Sequence, residues 1–205
     1  MLKVGLTGGY ATGKSFVAAE LERCGCLLIY ADELGHRVLY CNGEAFEPVV
    51  HAFGPGILDA EGSIDRRKLG DIVFGSPELL ARLNSFVHPA VYRLEKQMLN
   101  AWEAERPNGI AVTEAAILIE TGRYNAFDRI ILTVCEEETQ IARAMKRDHV
   151  TREQALTRIA RQMSSEEKKR YADYVIDTSG PKEDTRVEVD RIFRELESLA
   201  QEKAT

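Results

Sequence analysis

The apolar pattern switches between short unbroken runs and helical stripes along most of the chain. Lys3-Val4-Gly5-Leu6-Thr7 reads as a short buried strand. Phe16 to Arg23 reads as a helix with Val17 and Leu21 on one face, and Gly25 is placed to close it. Leu27-Leu28-Ile29-Tyr30 is a second strand, and Ala31-Asp32-Glu33 opens a helix to about Leu39. From Glu44 to Glu105 only helical patterns appear. Ala45, Val49, Val50 and Phe53 mark one short helix, broken by Gly54-Pro55-Gly56. Asp65 starts another, with Leu69, Ile72, Val73 and Phe74 at helical spacing. Ser76-Pro77-Glu78 starts a third, and His88-Pro89 repeats the start signal for a long amphipathic helix through Trp102.

Strands return at Ile110-Ala111-Val112-Thr113, at Arg129 to Val134 and at Tyr174-Val175-Ile176. Helices are expected over Glu136 to Asp148, from Thr151, from Ser164 and along Val189, Ile192, Phe193, Leu196 and Leu199. Five strands separated by helices predict an α/β fold with a parallel, doubly wound sheet. Ligands of such sheets bind at the carboxyl ends of the strands. The helical block between the second and third strands exceeds what a crossover needs and is a natural holder for a second substrate.

Chemistry concentrates in Gly8-Gly9-Tyr10-Ala11-Thr12-Gly13-Lys14-Ser15, which fits G-x-x-x-x-G-K-[ST] without mismatch. A predicted strand precedes it and a helix follows, the context that separates a phosphate loop from a Gly-rich turn that binds nothing. Glycines let successive amides turn inward to an anion, and the helix start adds its positive end. Lys14 would place a charge on the β- and γ-phosphates, and the Ser15 hydroxyl could ligate Mg²⁺.

Composition narrows the class. The chain has 205 residues, 44% of them hydrophobic and 29% charged, as in a soluble single domain. Its net charge of −6 argues against nucleic acid and acidic membrane as partners. No apolar run reaches membrane-span length, and the first residues already form a core strand, so a cytoplasmic location is expected. Cys24, Cys26, Cys41 and Cys135 fit no zinc or redox spacing and read as small, reduced core residues.

Asp32 follows the second strand as the phosphate loop follows the first. It could take a proton from an attacking hydroxyl or hold the Mg²⁺ shell, or simply cap a helix; on position the readings stand level. Gln140, Arg143 and Arg147 share one helical face, with Arg152, Arg158 and Arg161 beyond. A solvated basic face is the plain reading; a lid whose arginines meet phosphoryl charge is the functional one, and a hairpin with little apolar surface is free to move. His88 is either a core imidazole or a substrate contact. Glu120 is placed to cap a helix or pair with a basic side chain, and it is also placed to face the ligand rim.

Taken together, these motifs resemble the dephospho-coenzyme A kinase family. The resemblance rests on Leu6-Thr7-Gly8-Gly9 through Lys14-Ser15, on Ala31-Asp32, and on Gly62 to Arg67 with Leu69, Val73-Phe74 and His88-Pro89. Gln140, Arg143, Arg147-Asp148, Arg158, Gln162 and Ala172 to Asp177 complete it, in the family's order from about Leu2 to Gly180. Phe16 stands where the family usually has Thr, Thr178 where it has Asn, and Ala116 where it has Pro.

The resemblance implies a single P-loop kinase domain: a core of about 1–40, 107–136 and 172–205, a helical acceptor-binding block of about 44–106 and a lid of about 137–171. It implies ATP and dephospho-coenzyme A as substrates, with phosphoryl transfer to the ribose 3′-hydroxyl. Gly9 to Phe16 with Arg143 and Arg147 would hold the nucleotide, Ser15 and Asp32 the Mg²⁺. Lys14, Asp32 and Arg143 would be catalytic, and Thr7, Asp32, Arg66, His88 and Glu120 would meet the acceptor. A monomer or weak homo-oligomer is expected.

An inactive scaffold is disfavoured by the intact Lys14 and Asp32, and two further rivals remain at this stage. One is a P-loop kinase of another small acceptor, such as a nucleoside monophosphate. The other is a guanine-nucleotide switch, for which Asp32 to Gly35 and Asp59 to Gly62 supply weak D-x-x-G matches while N-K-x-D is missing.

Overall fold

The computed structural model describes residues 1–203. Strand β1 (Leu2–Gly8) is buried along almost its whole length, as a central parallel strand covered on both faces must be. With β2 (Leu27–Tyr30), β3 (Ile110–Glu114), β4 (Arg129–Val134) and β5 (Tyr174–Asp177) it forms a five-stranded parallel sheet in the order β2-β3-β1-β4-β5. The order reverses at β1, flanked by β3 and β4, and that switch point is where the phosphate loop leaves the sheet.

The chain divides into two compact units. The first holds Met1–Ile29 and Trp102–Thr205, the second Tyr30–Ala101. In the first, α1 (Lys14–Arg23) starts from the phosphate loop and ends before Gly25, whose φ of 104° is the left-handed turn expected there. The last helix, α9 (Lys182–Lys203), buries Thr185, Val189, Ile192, Leu196 and Ala200 and packs on α1 and the sheet. Between these two helices Glu20, almost fully buried, accepts from Arg186 Nε at 2.9 Å and Arg23 Nε at 2.7 Å. Those hydrogen bonds, Arg186 first and Arg23 next, hold its carboxyl below the usual range.

The second unit carries α2 (Ala31–Arg37), α3 (Phe46–Phe53), α4 (Arg66–Val73) and most of α5 (Pro77–Glu105). Asp65 caps α4, accepting from the amides of Arg67 and Lys68. The break expected at His88-Pro89 does not occur: α5 runs through Pro89. Proline removes one rung of the ladder there, yet the helix packs on both sides of it: Leu79, Leu80, Leu83 and Phe86 are half-buried before the proline, and Ala90, Val91, Glu95 and Leu99 are buried after it. In α4 only Leu69 and Val73 of the apolar set are buried, and Phe74 is 82% exposed.

The cysteines depart from expectation. Cys26 alone is buried, and burial pushes its thiol up to about 12. Cys24 and Cys135 are half-buried, and Cys41 is exposed because it sits on a turn. Among the described residues no helix is long and apolar enough to cross a membrane.

The remaining helices, α6 (Glu137–Asp148), α7 (Arg152–Ala160) and α8 (Ser165–Lys169), lie between β4 and β5 in the first unit. Capping boxes at Thr151 with Gln154 and at Ser164 with Glu167 fix the starts of α7 and α8.

Candidate active site

The phosphate loop is braced from behind. The Thr12 side chain is fully buried, its Oγ1 lying 2.8 Å from Gly9 O and 2.8 Å from Thr133 Oγ1 on β4. A Cβ on Gly8 would stand 2.2 Å from Thr133 Oγ1, so only glycine fits. Ala11 and Gly13 adopt positive φ, 58° and 84°, which curls the backbone into a concave turn. Lys14 Nζ donates to the carbonyls of Gly8 and Gly9 at 3.1 and 2.9 Å, closing one side of that turn.

A pocket of about 490 Å³ opens here, lined by Ala11 to Phe16 with Arg143, Lys146 and Arg147. Lys14, Arg143, Lys146 and Arg147 bring four positive groups, and no carboxylate lines the pocket. Such a lining suits a polyanion. The shared face predicted for Gln140, Arg143 and Arg147 is what delivers the α6 residues: Gln140 Nε2 donates to the Tyr10 carbonyl, and both arginines reach the pocket. Arg143 is fixed by Thr178, donating Nη1 to its hydroxyl at 2.9 Å and Nη2 to its carbonyl at 2.5 Å. Thr178 Oγ1 in turn donates to Thr12 O at 3.0 Å. Thr178, just past β5, thus joins phosphate loop and arginine. Phe16 lies under Lys182 and Arg186, whose cationic ends are 5.1 and 5.5 Å from its ring centre.

The α6–α7 hairpin is not poor in apolar surface, contrary to expectation. Ile141, Ala144 and Ala155 bury themselves against Ala11, with Tyr10, Leu156 and Ile159 packed around them. Arg152 pairs with Glu138 on the exposed side, where the solvated reading holds.

Thr7 is fully buried and its hydroxyl points to Ala116 O at 3.4 Å. Glu120 takes the pairing reading: its carboxylate meets Lys168 Nζ at 2.7 Å, and Lys168 is itself fully buried. In the second unit Asp32 is an exposed residue in the first turn of α2. Tyr30 is the cap position and no side chain caps that helix, so capping does not account for Asp32. Arg66 opens α4, and His88 lies in α5 with its ring 6.0 Å from that of Tyr92.

Both D-x-x-G matches have local explanations. Asp32 to Gly35 lies inside α2, and Asp59 Oδ1 accepts from the amides of Glu61 and Ser63 in a turn. Thr178 entered the sequence reading only as a departure from the family's usual Asn, and Lys146, Lys168 and the Tyr10 side chain did not enter it at all. Of those three only Lys146 carried a usable signal, one helical turn from Arg143.

Among the described residues no cluster of three or more His, Cys, Asp or Glu side chains could hold a metal by itself. The pocket lining offers two hydroxyl oxygens, that of Ser15 and that of Thr12, the latter already engaged with Gly9 O and Thr133 Oγ1. That fits Mg²⁺ carried in on phosphate oxygens and water, and not a stand-alone protein site.

Comparison with known proteins agrees with this geometry. The family model described as Dephospho-CoA kinase matches residues 2–184. A protein of that name from Aquifex aeolicus is 40% identical over 197 residues, spanning 96% of this chain and 98% of its own. One from Geobacter metallireducens is 41% identical over 196 residues, spanning 95% and 96%. The crystal structure of the Thermus thermophilus protein TT1252 superposes with a TM-score of 0.81 at 32% identity, covering 95% of this chain and 97% of that one. The Campylobacter jejuni dephospho-CoA kinase gives 0.66 at 27%, covering 95% and 96%. A phosphate loop at the sheet's switch point, a cationic hairpin over it and a family match that spans nearly the whole sequence lead to one conclusion: the chain belongs to the dephospho-CoA kinase family.

Proposed function

We infer that this chain transfers the γ-phosphoryl group of ATP to the ribose 3′-hydroxyl of dephospho-coenzyme A, the step that completes coenzyme A. The observation that carries the reading is the pocket of four cations around a braced glycine loop. Loop amides and Lys14 hold the β- and γ-phosphates. Arg143, anchored on Thr178, meets charge as it spreads over the transferring group, with Arg147 beside it. The Ser15 hydroxyl would help hold a Mg²⁺ brought in with the phosphates, which would supply further positive charge there. Phe16 borders the nucleotide.

Asp32 stands two residues past the carboxyl end of β2, which supports a role in taking or orienting the proton of the acceptor hydroxyl and in the Mg²⁺ shell. Arg66 and His88 of the helical block, with Thr7 and Glu120 near the carboxyl ends of β1 and β3, belong to the acceptor side. The hairpin of α6 and α7 acts as a lid that keeps water from the phosphoryl group. The protein works as a monomer or weak homo-oligomer in the cytoplasm.

ADP release measured with dephospho-coenzyme A, AMP, CMP and shikimate as rival acceptors tests this. The fastest turnover is expected with dephospho-coenzyme A, and a faster rate with any other acceptor overturns the assignment.

A further inference from the structure

Tyr10 lies in the phosphate loop, where a backbone amide is all that anion binding requires. Its side chain nevertheless makes contacts to both helices of the hairpin. The hydroxyl donates to Asp148 Oδ2 at the end of α6 and accepts from Arg158 Nη1 of α7 at 2.9 Å. Two guanidinium groups approach the ring, Arg147 at 5.3 Å and Arg158 at 5.4 Å from its centre. Arg147 is also held two-pronged by Asp148, Nε to Oδ1 at 2.8 Å and Nη2 to Oδ2 at 2.9 Å. The Tyr10 backbone is gripped as well: its N–H donates to Gln162 Oε1 at 2.6 Å, and its carbonyl accepts from Gln140.

We propose that the Tyr10 side chain is a positioning residue, which sets Arg147 in the triphosphate pocket and thereby tunes affinity for the nucleotide. An arginine has many rotamers, and ordering it on binding is costly. Here the Arg147 guanidinium stands over an aromatic ring, 5.3 Å from its centre, and one edge is taken by a carboxylate. The ring's negative face attracts the cation, and the Asp148 fork fixes its plane. Tyr10 fixes Asp148 in its turn through the hydroxyl. Arg147 is therefore set in the pocket before any phosphate arrives, and the residue that sets it belongs to the loop that binds the phosphates. The hydroxyl's second bond, from Arg158, ties α7 to the same point and keeps the hairpin in register with the loop.

The inference rests on the reading of this pocket as a nucleotide site, and the experiment separates the two. Binding of Mg·ATP, without acceptor, is measured by calorimetry for the wild type and for Tyr10→Leu, Tyr10→Phe, Arg147→Gln and the double variant Tyr10→Leu/Arg147→Gln. Tyr10→Leu should weaken binding about tenfold by removing ring and hydroxyl together. Tyr10→Phe, which keeps the ring, should recover most of that and lose only about threefold. Because Tyr10 acts through Arg147, adding Tyr10→Leu to Arg147→Gln should weaken binding by less than about twofold beyond Arg147→Gln alone. Wild-type affinity in both Tyr10 variants, or effects that multiply fully in the double variant, would overturn the proposal. Should Tyr10→Leu not fold, Tyr10→Phe and Tyr10→Phe/Arg147→Gln apply the same criterion to the hydroxyl. A wild type with no affinity for Mg·ATP would sink the nucleotide reading itself.

Discussion

Lys168 Nζ and the Glu120 carboxylate meet at 2.7 Å, and the lysine side chain has no exposure to solvent. The pair joins α8 to the segment after β3, and Lys168 Nζ also lies 3.4 Å from Ala116 O. A buried ammonium that loses its counter-ion is left uncompensated, whereas Glu120, with about a fifth of its side chain exposed, can still reach water. The two single changes should therefore be unequal. Glu120→Gln is expected to destabilise by about 3 kcal/mol, and Lys168→Met by clearly less. Urea denaturation checks the order; a larger loss in Lys168→Met contradicts it.

Loss of a group that balances transition-state charge slows the chemical step more than it weakens substrate binding. Lys14→Ala and Arg143→Ala should each lower kcat by about a hundredfold or more, as should Asp32→Asn if the carboxylate handles the acceptor proton. Steady-state kinetics with saturating ATP and dephospho-coenzyme A give the answer residue by residue. An unchanged kcat in Asp32→Asn removes its assigned role, and one in Arg143→Ala returns that side chain to the solvated face.

Thr178 holds Arg143 through its hydroxyl and its carbonyl. Thr178→Val keeps the shape and the carbonyl but removes the hydroxyl, and with it the link to Thr12 O. A fall in kcat of about tenfold is expected, and Thr178→Ser should restore most of it. Equal activity in Val and Ser variants would show that the carbonyl alone fixes the arginine.

Acid should loosen the packing of α1 on α9. Arg186 and Arg23 hold the Glu20 carboxyl below its ordinary range, so the folded state binds this proton less readily than the unfolded one. The group's stabilising effect is present above its unfolded value and is lost as pH falls toward the depressed one. Asp148, held well below its ordinary range by Arg147 and then Tyr10, behaves in the same sense. Melting temperature followed from about pH 6 to pH 3 should fall less steeply in Glu20→Gln than in the wild type. Parallel slopes would mean that Glu20 does not carry the acid dependence.

The order of strands and helices was legible because it is written in local period and in Gly and Pro punctuation. The phosphate loop was legible for the same reason, since its flanks lie next to it in sequence. Pro89 misled because a start signal is local, while the burial that carries α5 past it is not. Lys168 sits in the charged run Ser164 to Arg170, where nothing marks one lysine as buried. The Tyr10 contacts reach across to Asp148, Arg158 and Gln162, and no sequence period connects residues so far apart. Cys41 read as core only because cysteine usually is.

The bracing of Thr12 against Thr133, with Gly8 wedged between, has a consequence for how tightly the site can hold its ligand. A mould already cast needs no further freezing when the guest arrives, so little of the attraction is consumed in stiffening the chain. Such a site discriminates by shape and charge from the first encounter, and substitutions behind the loop should loosen its grip while touching no ligand atom.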